Sequence, residues 1–264
     1  MGLSPLSDRL SRVAPSRILL GLDFDGTLAP IVPDPDEAMP TPQVVALLSE
    51  LNRYLLRVAI ISGRDTDALA ARLPIEGLIF VGNHGLEERN GQSRLVEAAK
   101  PFTTPLARAA AAIARLEETR FPGVRVEHKR AGVSVHFRNA ADPLRAQAAL
   151  RPPLERIADG EGLRLHAGRM VWELRPPLDI DKGEVLRRLA VALRPQAIIY
   201  IGDDLTDADA FAALKTMTDI RTVAVGVRSP EVPEAKFADC DLMVDSVAGA
   251  TKFLGELRDL SRPV

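Results

Sequence analysis

A single cysteine, Cys240, in 264 residues excludes an internal disulfide. It has no companion at metal-ligand spacing, so it reads as a small, buried or partly buried side chain. Long apolar runs are also missing. No segment approaches the roughly 20 residues that cross a bilayer, and Met1 to Ser16 lacks an extended apolar core, so no membrane partner and a cytoplasmic location are expected. Excess charge of one sign is absent too: 34 Lys and Arg stand against 36 Asp and Glu, a formal net charge of -2. With the basic residues dispersed, there is no electrostatic footprint for nucleic acid. There is no internal repeat. What remains is a chain with 46% hydrophobic residues, long enough for one large domain or two modest ones and for a sizeable core.

Strand and helix patterns alternate along the chain. From Ile18 a strand, a helix over Gln43 to Arg53, a strand, a helix over Asp65 to Arg72 and a strand over Leu78 to Val81 succeed one another. The pattern resumes near Ile180 with a helix to Leu193, a strand at Ile198, a helix over Thr206 to Leu214, an apolar run at Thr222 to Val225, a short strand near Leu242 and a helix over Val247 to Leu257. This is the signature of an α/β fold, a parallel sheet covered on both faces. Ligands in such sheets gather beyond the carboxyl ends of the strands.

Between these halves the character changes. Val124 to Glu127 and Val133 to Phe137 alternate like two half-buried strands, and a helix over Pro143 to Ala158 follows. Leu163 to His166 and Met170 to Leu174 suggest a second hairpin before Pro176-Pro177, and Ala107 to Ala114 reads as a helix of high propensity. The expected organisation is a core over 1–97 and 178–264 interrupted by an antiparallel, helix-backed insert over 98–177.

The chemistry concentrates where the strands end. Ile18-Leu19-Leu20-Gly21-Leu22 runs into Asp23-Phe24-Asp25-Gly26-Thr27. A carboxylate at the end of a parallel strand can attack phosphorus and split one hard displacement into two easier ones, so Asp23 is the candidate nucleophile. Asp25, two residues on, lies on the same side of an extended chain and can serve as general acid and then base. Gly26 lets the backbone turn sharply, and the Thr27 hydroxyl can donate to phosphate oxygens. After Leu56 to Ile61 comes Ser62-Gly63-Arg64, whose serine can hydrogen-bond a transferring phosphoryl group or simply cap a turn. Lys182 follows Asp179-Ile180-Asp181; it either reaches Asp23 and the phosphate or stands solvated in a first helical turn. The run Ala197 to Ile201 delivers Gly202-Asp203-Asp204-Leu205-Thr206-Asp207, a cation site in which hard carboxylate oxygens suit Mg²⁺. Asp23, Asp203 and Asp204 are the candidate side-chain ligands; Asp204 and Asp207 equally suit an orienting role, and Asp207 equally suits the start of a helix. Like charges at ~4 Å repel by about 4 kcal/mol at an effective dielectric near 20, so a cation is needed before a phosphate can join this cluster.

These four elements, in this order, resemble the motifs of the haloacid dehalogenase-like (HAD) phosphatase superfamily, with Asp23, Asp25, Ser62 and Lys182 as the catalytic set. The resemblance adds the Asp25 carbonyl to the metal ligands and implies that the insert is a C2-type cap, which closes on substrate and selects the leaving group.

A narrower resemblance rests on Gly82-Asn83-His84-Gly85-Leu86-Glu87, Glu127-His128-Lys129, Val135-His136-Phe137-Arg138, Val171 to Pro176 and the Gly202 to Asp207 run, which together are similar to the trehalose-6-phosphate phosphatase family from about Ile18 to Leu257. It implies Mg²⁺-dependent hydrolysis of trehalose 6-phosphate through an aspartyl phosphate, and a monomer acting on a small sugar phosphate. It also implies sugar or phosphate contacts from Arg64, His84 and Glu87 and from Lys129, His136 and Glu173 in the insert. Read as residues alone, Glu173 equally suits an exposed charge paired with Arg175 or Arg169, His136 a satisfied core histidine, and Lys129 a solvated cation. A phosphatase for another sugar phosphate, sucrose phosphate or mannosyl-phosphoglycerate, shares the same core, and a catalytically silent sugar-phosphate sensor shares the fold. One departure stands out: where the family carries an acid directly after the position of Asp207, this chain has Ala208 and only then Asp209.

Overall fold

The computed structural model describes residues 4–229 and 232–262; Met1–Leu3 of the N-terminal segment, residues 230–231 and the last two residues lie outside that range. The chain divides into two compact units, Met1–Ser93 with Ile180–Val264, and Arg94–Asp179. Among the described residues no helix is long and apolar enough to cross a membrane.

The first unit opens with helix α1 (Ser4–Leu10) and alternates β1 (Ile18–Leu22), α2 (Pro42–Tyr54), β2 (Arg57–Ile61), α3 (Thr66–Arg72) and β3 (Ile79–Gly82), followed by β4 (Glu87–Asn90) and β5 (Gln92–Leu95). The second unit then contributes α4 (Thr103–Ile113), β6 (Arg125–Lys129), β7 (Gly132–His136), α5 (Pro143–Glu161), β8 (Arg164–Gly168) and β9 (Val171–Arg175). The chain closes with α6 (Lys182–Leu193), β10 (Ala197–Gly202), α7 (Asp207–Thr216), β11 (Arg221–Arg228), β12 (Leu242–Asp245) and α8 (Ser246–Ser261).

The strands of the first unit lie in the order β12-β11-β10-β1-β2-β3-β4-β5. From β12 to β3 every pairing is parallel. Buried on both faces, β1 and β10 are apolar without interruption rather than alternating. On one face Leu20, Leu22, Ile60 and Ile199 pack against Val44, Leu48 and Leu51 of α2 and Phe253 and Leu257 of α8. On the other, Leu19, Ala59, Ile198 and Tyr200 pack against Val185 and Leu186 of α6 and Phe211 and Leu214 of α7. Each such buried side chain contributes about 1.5–3 kcal/mol. Helix starts follow their caps: Thr41 accepts from Val44 N at 3.3 Å before Pro42, and Asp65 accepts from Ala68 N at 2.7 Å.

The sheet is not parallel throughout. β4 runs antiparallel to β3, pairing Val81 with Glu88, and β5 continues beyond it. Asn90-Gly91 is the turn, with Gly91 at φ 76°, a conformation glycine adopts without strain.

The second unit is a four-stranded antiparallel sheet in the order β6-β7-β9-β8. One face, with Val133, Val135, Trp172 and Leu174, packs on Leu106, Ile113, Leu150 and Leu154 of α4 and α5. The other face is polar: Glu127 pairs with Ser134, Ser134 with Glu173, and Glu173 with His166, one row across four strands. α5 extends past Ala158 to Glu161, where Gly162 takes a left-handed φ of 65° and ends it. This unit begins before Ala98 and reaches past Pro176-Pro177, because Arg164 Nη1 holds Asp179 Oδ1 at 2.7 Å.

Candidate active site

β1 and β10 are neighbours at the point where the chain leaves one half of the sheet for the other, and the carboxyl ends of strands at such a point are where ligands of open α/β sheets bind. Asp23 and Asp203 flank that point, one residue beyond each strand, with Asp23 N donating to Ile201 O at 2.9 Å. Beyond β1 the chain bends at Phe24, whose ring is buried in the core, and turns back on itself with Leu28 N donating to Phe24 O at 2.8 Å. Gly26, at φ 80°, lies so close to Asp203 that a Cβ there would stand 2.1 Å from Asp203 Oδ2. Thr27 Oγ1 lies 3.4 Å from Asp203 Oδ1, which it addresses as donor.

Lys182 is the first residue of α6, whose N-cap Asp181 accepts from Glu184 N at 2.8 Å. An ammonium at a helix N-terminus opposes the helix dipole, and this one is 2% exposed. Two carboxylates hold it there: Nζ lies 2.9 Å from Asp23 Oδ1 and 2.5 Å from Asp207 Oδ1. Burial alone lowers the lysine pKa, but the charges of Asp207 and Asp23 reverse that and hold it above the ordinary range. Burial raises Asp23, Lys182 opposes the rise, and Asp207 and Asp203 add to it.

Asp207 is the hub of this arrangement. Its Oδ1 accepts from Lys182 Nζ and from Tyr200 Oη, both at 2.5 Å, and its Oδ2 accepts from Asp203 N at 2.9 Å and Asp204 N at 2.8 Å. Asp23, Asp203 and Asp207 each bring an oxygen within 4.8 Å of the others. Three buried carboxylates against one ammonium leave two negative charges, and the donors are hard oxygens, so a divalent cation such as Mg²⁺ fits the cluster. Asp207 already accepts four hydrogen bonds, which fills a carboxylate's capacity, so the oxygens best suited to a cation belong to Asp23 and Asp203.

The neighbouring loops lock together. Ser62 N donates to Val81 O at 3.0 Å, Asn83 N to Arg64 O at 2.8 Å and His84 N to Ser62 O at 3.0 Å. Asn83, His84 and Gly85 all have positive φ, a costly run that persists only when its surroundings impose it. Glu87 is one such constraint, accepting from Asn83 Nδ2 at 2.5 Å and Thr66 Oγ1 at 3.0 Å. The His84 ring packs on Gly63, where a Cβ would stand 2.5 Å from Nε2. Arg64 grips Asp25 with two bonds of 2.7 Å and reaches Pro35 O at 2.7 Å.

In the second unit, Glu173 accepts from Ser134 Oγ at 3.0 Å and Lys129 Nζ at 3.2 Å and pairs with Arg175. His136 Nε2 lies 2.8 Å from Glu127 Oε2.

A family model described as trehalose-phosphatase matches residues 21–241, most of the chain and every element of this site. The chain belongs to the trehalose-phosphatase family. The trehalose-phosphate phosphatase of Mycobacterium marinum is 40% identical over 243 residues, which span 89% of this chain and 60% of that protein. This chain thus spans about 60% of the length of the curated relatives it matches. A crystal structure titled trehalose-6-phosphate phosphatase related protein superposes with a TM-score of 0.78 at 26% identity, over 92% of this chain and 97% of that one. The C-terminal domain of the Candida albicans trehalose-6-phosphate phosphatase shares the fold with a TM-score of 0.80 at 22% identity, covering 98% of each chain.

In this member of the trehalose-phosphatase family the first unit brings together Asp23, Asp25, Gly26, Thr27, Ser62, Arg64, Lys182 and Asp203. Three expected contacts take different positions. Glu87 is 0% exposed and braces Asn83 and Thr66, so it has no surface to offer a ligand. Asp204 stands outside the three-carboxylate group, its Oδ1 accepting from Leu205 N at 2.6 Å. Thr27 turns its hydroxyl to Asp203. Glu173 is buried and pairs with the partly buried Lys129 and with Arg175, so neither Lys129 nor Glu173 is a solvated charge. Asp209, beyond Ala208, is exposed and is not part of the carboxylate group. Tyr200, which donates to Asp207, and Asn83, which donates to Glu87, make contacts that the sequence motifs do not reveal.

The Glu127–His136 contact carries a pH signature. Burial raises the Glu127 carboxyl, but the His136 hydrogen bond and the charges of Lys129, His136 and Arg125 outweigh it and bring it down to about 2 from 4.5. A depressed carboxyl stabilises the fold above its unfolded pKa and loses that contribution as pH falls from about 4.5 towards about 2. Glu127→Gln is therefore expected to cost about 1–2 kcal/mol at pH 7 and to flatten the acid limb of stability over that window, read by urea melts as a function of pH.

Proposed function

We propose that this chain is an Mg²⁺-dependent phosphatase that hydrolyses trehalose 6-phosphate to trehalose and phosphate through an aspartyl phosphate. The observation that carries the reading is Lys182 Nζ shared between Asp23 and Asp207 in a buried group of acids at the carboxyl ends of β1 and β10. A structural lysine has no need of that position.

In the proposed reaction an Asp23 oxygen attacks phosphorus while the ester P–O bond breaks, and Asp25 gives its proton to the departing sugar oxygen. Asp25 then takes a proton from water, whose oxygen attacks phosphorus and frees the Asp23 carboxylate. Lys182 faces Asp23 throughout and offsets charge on the transferring group, with Ser62 as hydroxyl donor, while the Thr27 hydroxyl is spent on Asp203. Asp23 and Asp203, with the Asp25 carbonyl, would hold Mg²⁺, which supplies electrostatic neutralisation of the phosphoryl oxygens. In the substrate-free structure Arg64 holds the Asp25 carboxylate with a two-point grip, which has to open before Asp25 can carry the proton it gives to the departing oxygen.

Choice of sugar is assigned to the second unit. Lys129, Ser134, His136, Glu173 and Arg175 supply the mixture of donors and acceptors that sugar hydroxyls require. Arg64 and His84 from the first unit are assigned to the phosphate side.

The test is phosphate release from trehalose 6-phosphate, sucrose 6-phosphate, glucose 6-phosphate and an aryl phosphate, each with Mg²⁺ and with chelator. The expected result is a kcat/KM for trehalose 6-phosphate at least ~100-fold above the others, well inside the ~10⁴–10⁵-fold that a site built to hydrogen-bond its substrate reaches, and loss of all turnover with chelator. Activity spread evenly over the esters discards the substrate and keeps the chemistry. No activity on any ester discards both in favour of a silent sensor.

A further inference from the structure

Tyr200 is the one hydroxyl-bearing side chain in the strand Ala-Ile-Ile-Tyr-Ile-Gly of β10. Its ring is fully buried, in edge contact with Phe211 at a centroid distance of 5.9 Å. An aliphatic residue or phenylalanine fills such a place without the desolvation cost of an O–H. The neighbouring strand makes room for it: Gly21 is its register partner on β1, and a Cβ at Gly21 would lie 2.8 Å from Tyr200 Cδ2. Gly202 makes room for what the hydroxyl reaches, since a Cβ there would stand 2.2 Å from Asp207 Cγ. The hydroxyl meets Asp207 Oδ1 at 2.5 Å, the same oxygen that holds Lys182 Nζ at 2.5 Å, and Lys182 in turn lies 2.9 Å from Asp23 Oδ1.

We infer that Tyr200 is a positioning residue for catalysis: its hydroxyl shares Asp207 Oδ1 with Lys182 and so keeps the lysine's remaining donors directed at Asp23. The physical reason is that the phenol fixes the carboxylate on which the lysine rests. Lys182 Nζ is already in full contact with Asp207 Oδ1, and Tyr200 Oη is the second donor that sets where that oxygen lies. Without the phenol, Asp207 keeps only three of its four donors, its Oδ1 is free to shift, and the ammonium shifts with it away from the attacking carboxylate. The inference rests on the phosphatase reading for its kinetic arm and on geometry alone for its structural arm.

Tyr200→Phe removes a single oxygen and keeps the ring. The expected kinetic result is a kcat reduced ~10–100-fold with KM within about twofold of wild type, below the ~10²–10³-fold that losing a direct transition-state donor costs, because Tyr200 acts through Lys182. Gly21→Ala keeps the hydroxyl and displaces the ring, so it is expected to lower kcat likewise, and to add nothing to the loss already present in Tyr200→Phe. Phe253→Leu, in a different part of the core, serves as a destabilised control with unchanged kcat. A crystal structure of Tyr200→Phe needs no turnover: Lys182 Nζ is expected beyond ~3.5 Å from Asp23 Oδ1, outside hydrogen-bond reach. If Tyr200→Phe keeps wild-type kcat, or keeps the wild-type lysine position, the inference is wrong whatever its melting temperature. If the wild type hydrolyses no ester, the phosphatase reading fails and the crystal structure alone decides the lysine position.

Discussion

Lys182→Met is expected to lose turnover by about 10³-fold or more and to destabilise the Met1–Ser93/Ile180–Val264 unit by about 3–5 kcal/mol in chelator. Methionine has nearly the length of lysine and no charge, so the loss is not one of packed volume. What changes is the charge balance: three buried carboxylates, those of Asp23, Asp203 and Asp207, lose their one ammonium. Truncating one partner of a buried ion pair leaves the other uncompensated, which costs more than the pair was worth. Asp207 also loses one of the four donors that hold it, so the carboxylate that anchors the Asp203 and Asp204 backbone through its other oxygen is less firmly fixed. Added Mg²⁺ should return much of the stability and little of the activity, because a cation on Asp23 and Asp203 offsets charge without replacing the donor at Asp23. Urea melts with and without Mg²⁺, beside phosphate release, check this. A Lys182→Met protein as stable as wild type in chelator shows that the ion pairs are not what holds the cluster.

The parallel core was legible because burial on both faces leaves strands such as Ile18–Leu22 and Ala197–Gly202 apolar end to end, and because each is followed at once by acids. The order of Asp23, Ser62, Lys182 and Asp203 along the chain maps directly onto strand ends and the start of α6. The roles of individual partners were less legible, since they depend on contacts between distant positions. Arg64 reads from the sequence as a substrate contact alone, and only the fold shows that it also pairs with Asp25, 39 residues away. Glu87 reads the same way, yet β4 turns its side chain inward onto Thr66 and Asn83, where it supports a left-handed backbone. That hairpin had a signal, Asn90-Gly91, inside a stretch whose polar composition hid the strands on either side. Asp207 is the clearest case. By spacing it suits a helix start, and it does open α7, but its four hydrogen bonds become visible only once Tyr200, Lys182 and the Asp203 loop converge. In the second unit the alternation of β7 and β9 showed which residues face away from the apolar core, while the pairing of Lys129 with Glu173 needed the register of three strands.

Asp23→Asn is the counterpart experiment, and its two effects point in opposite directions. Turnover is expected to fall by about 10⁴-fold or more, since an amide oxygen is a far weaker nucleophile than a carboxylate and the remaining groups cannot supply the attacking atom. Stability in chelator at neutral pH is expected to rise. Burial, and then the charges of Asp207 and Asp203, raise the Asp23 pKa above 3.8 in spite of Lys182. A carboxyl raised in the folded state contributes its full stability below the unfolded value of 3.8 and loses it as pH rises through the folded pKa. Asparagine does not ionise, so the variant escapes that loss, and its advantage over wild type should grow from acid to neutral pH. Mg²⁺ should narrow the difference, because it stabilises the wild type by mass action, about 2.7 kcal/mol at 100 times its Kd, and binds the variant more weakly. Thermal melts across pH, with chelator and with Mg²⁺, separate these terms. A variant that is inactive and no more stable than wild type in chelator would mean that Lys182 already neutralises Asp23, and the case for a resident cation would then rest on Asp203 alone. A variant that keeps wild-type turnover ends the covalent mechanism.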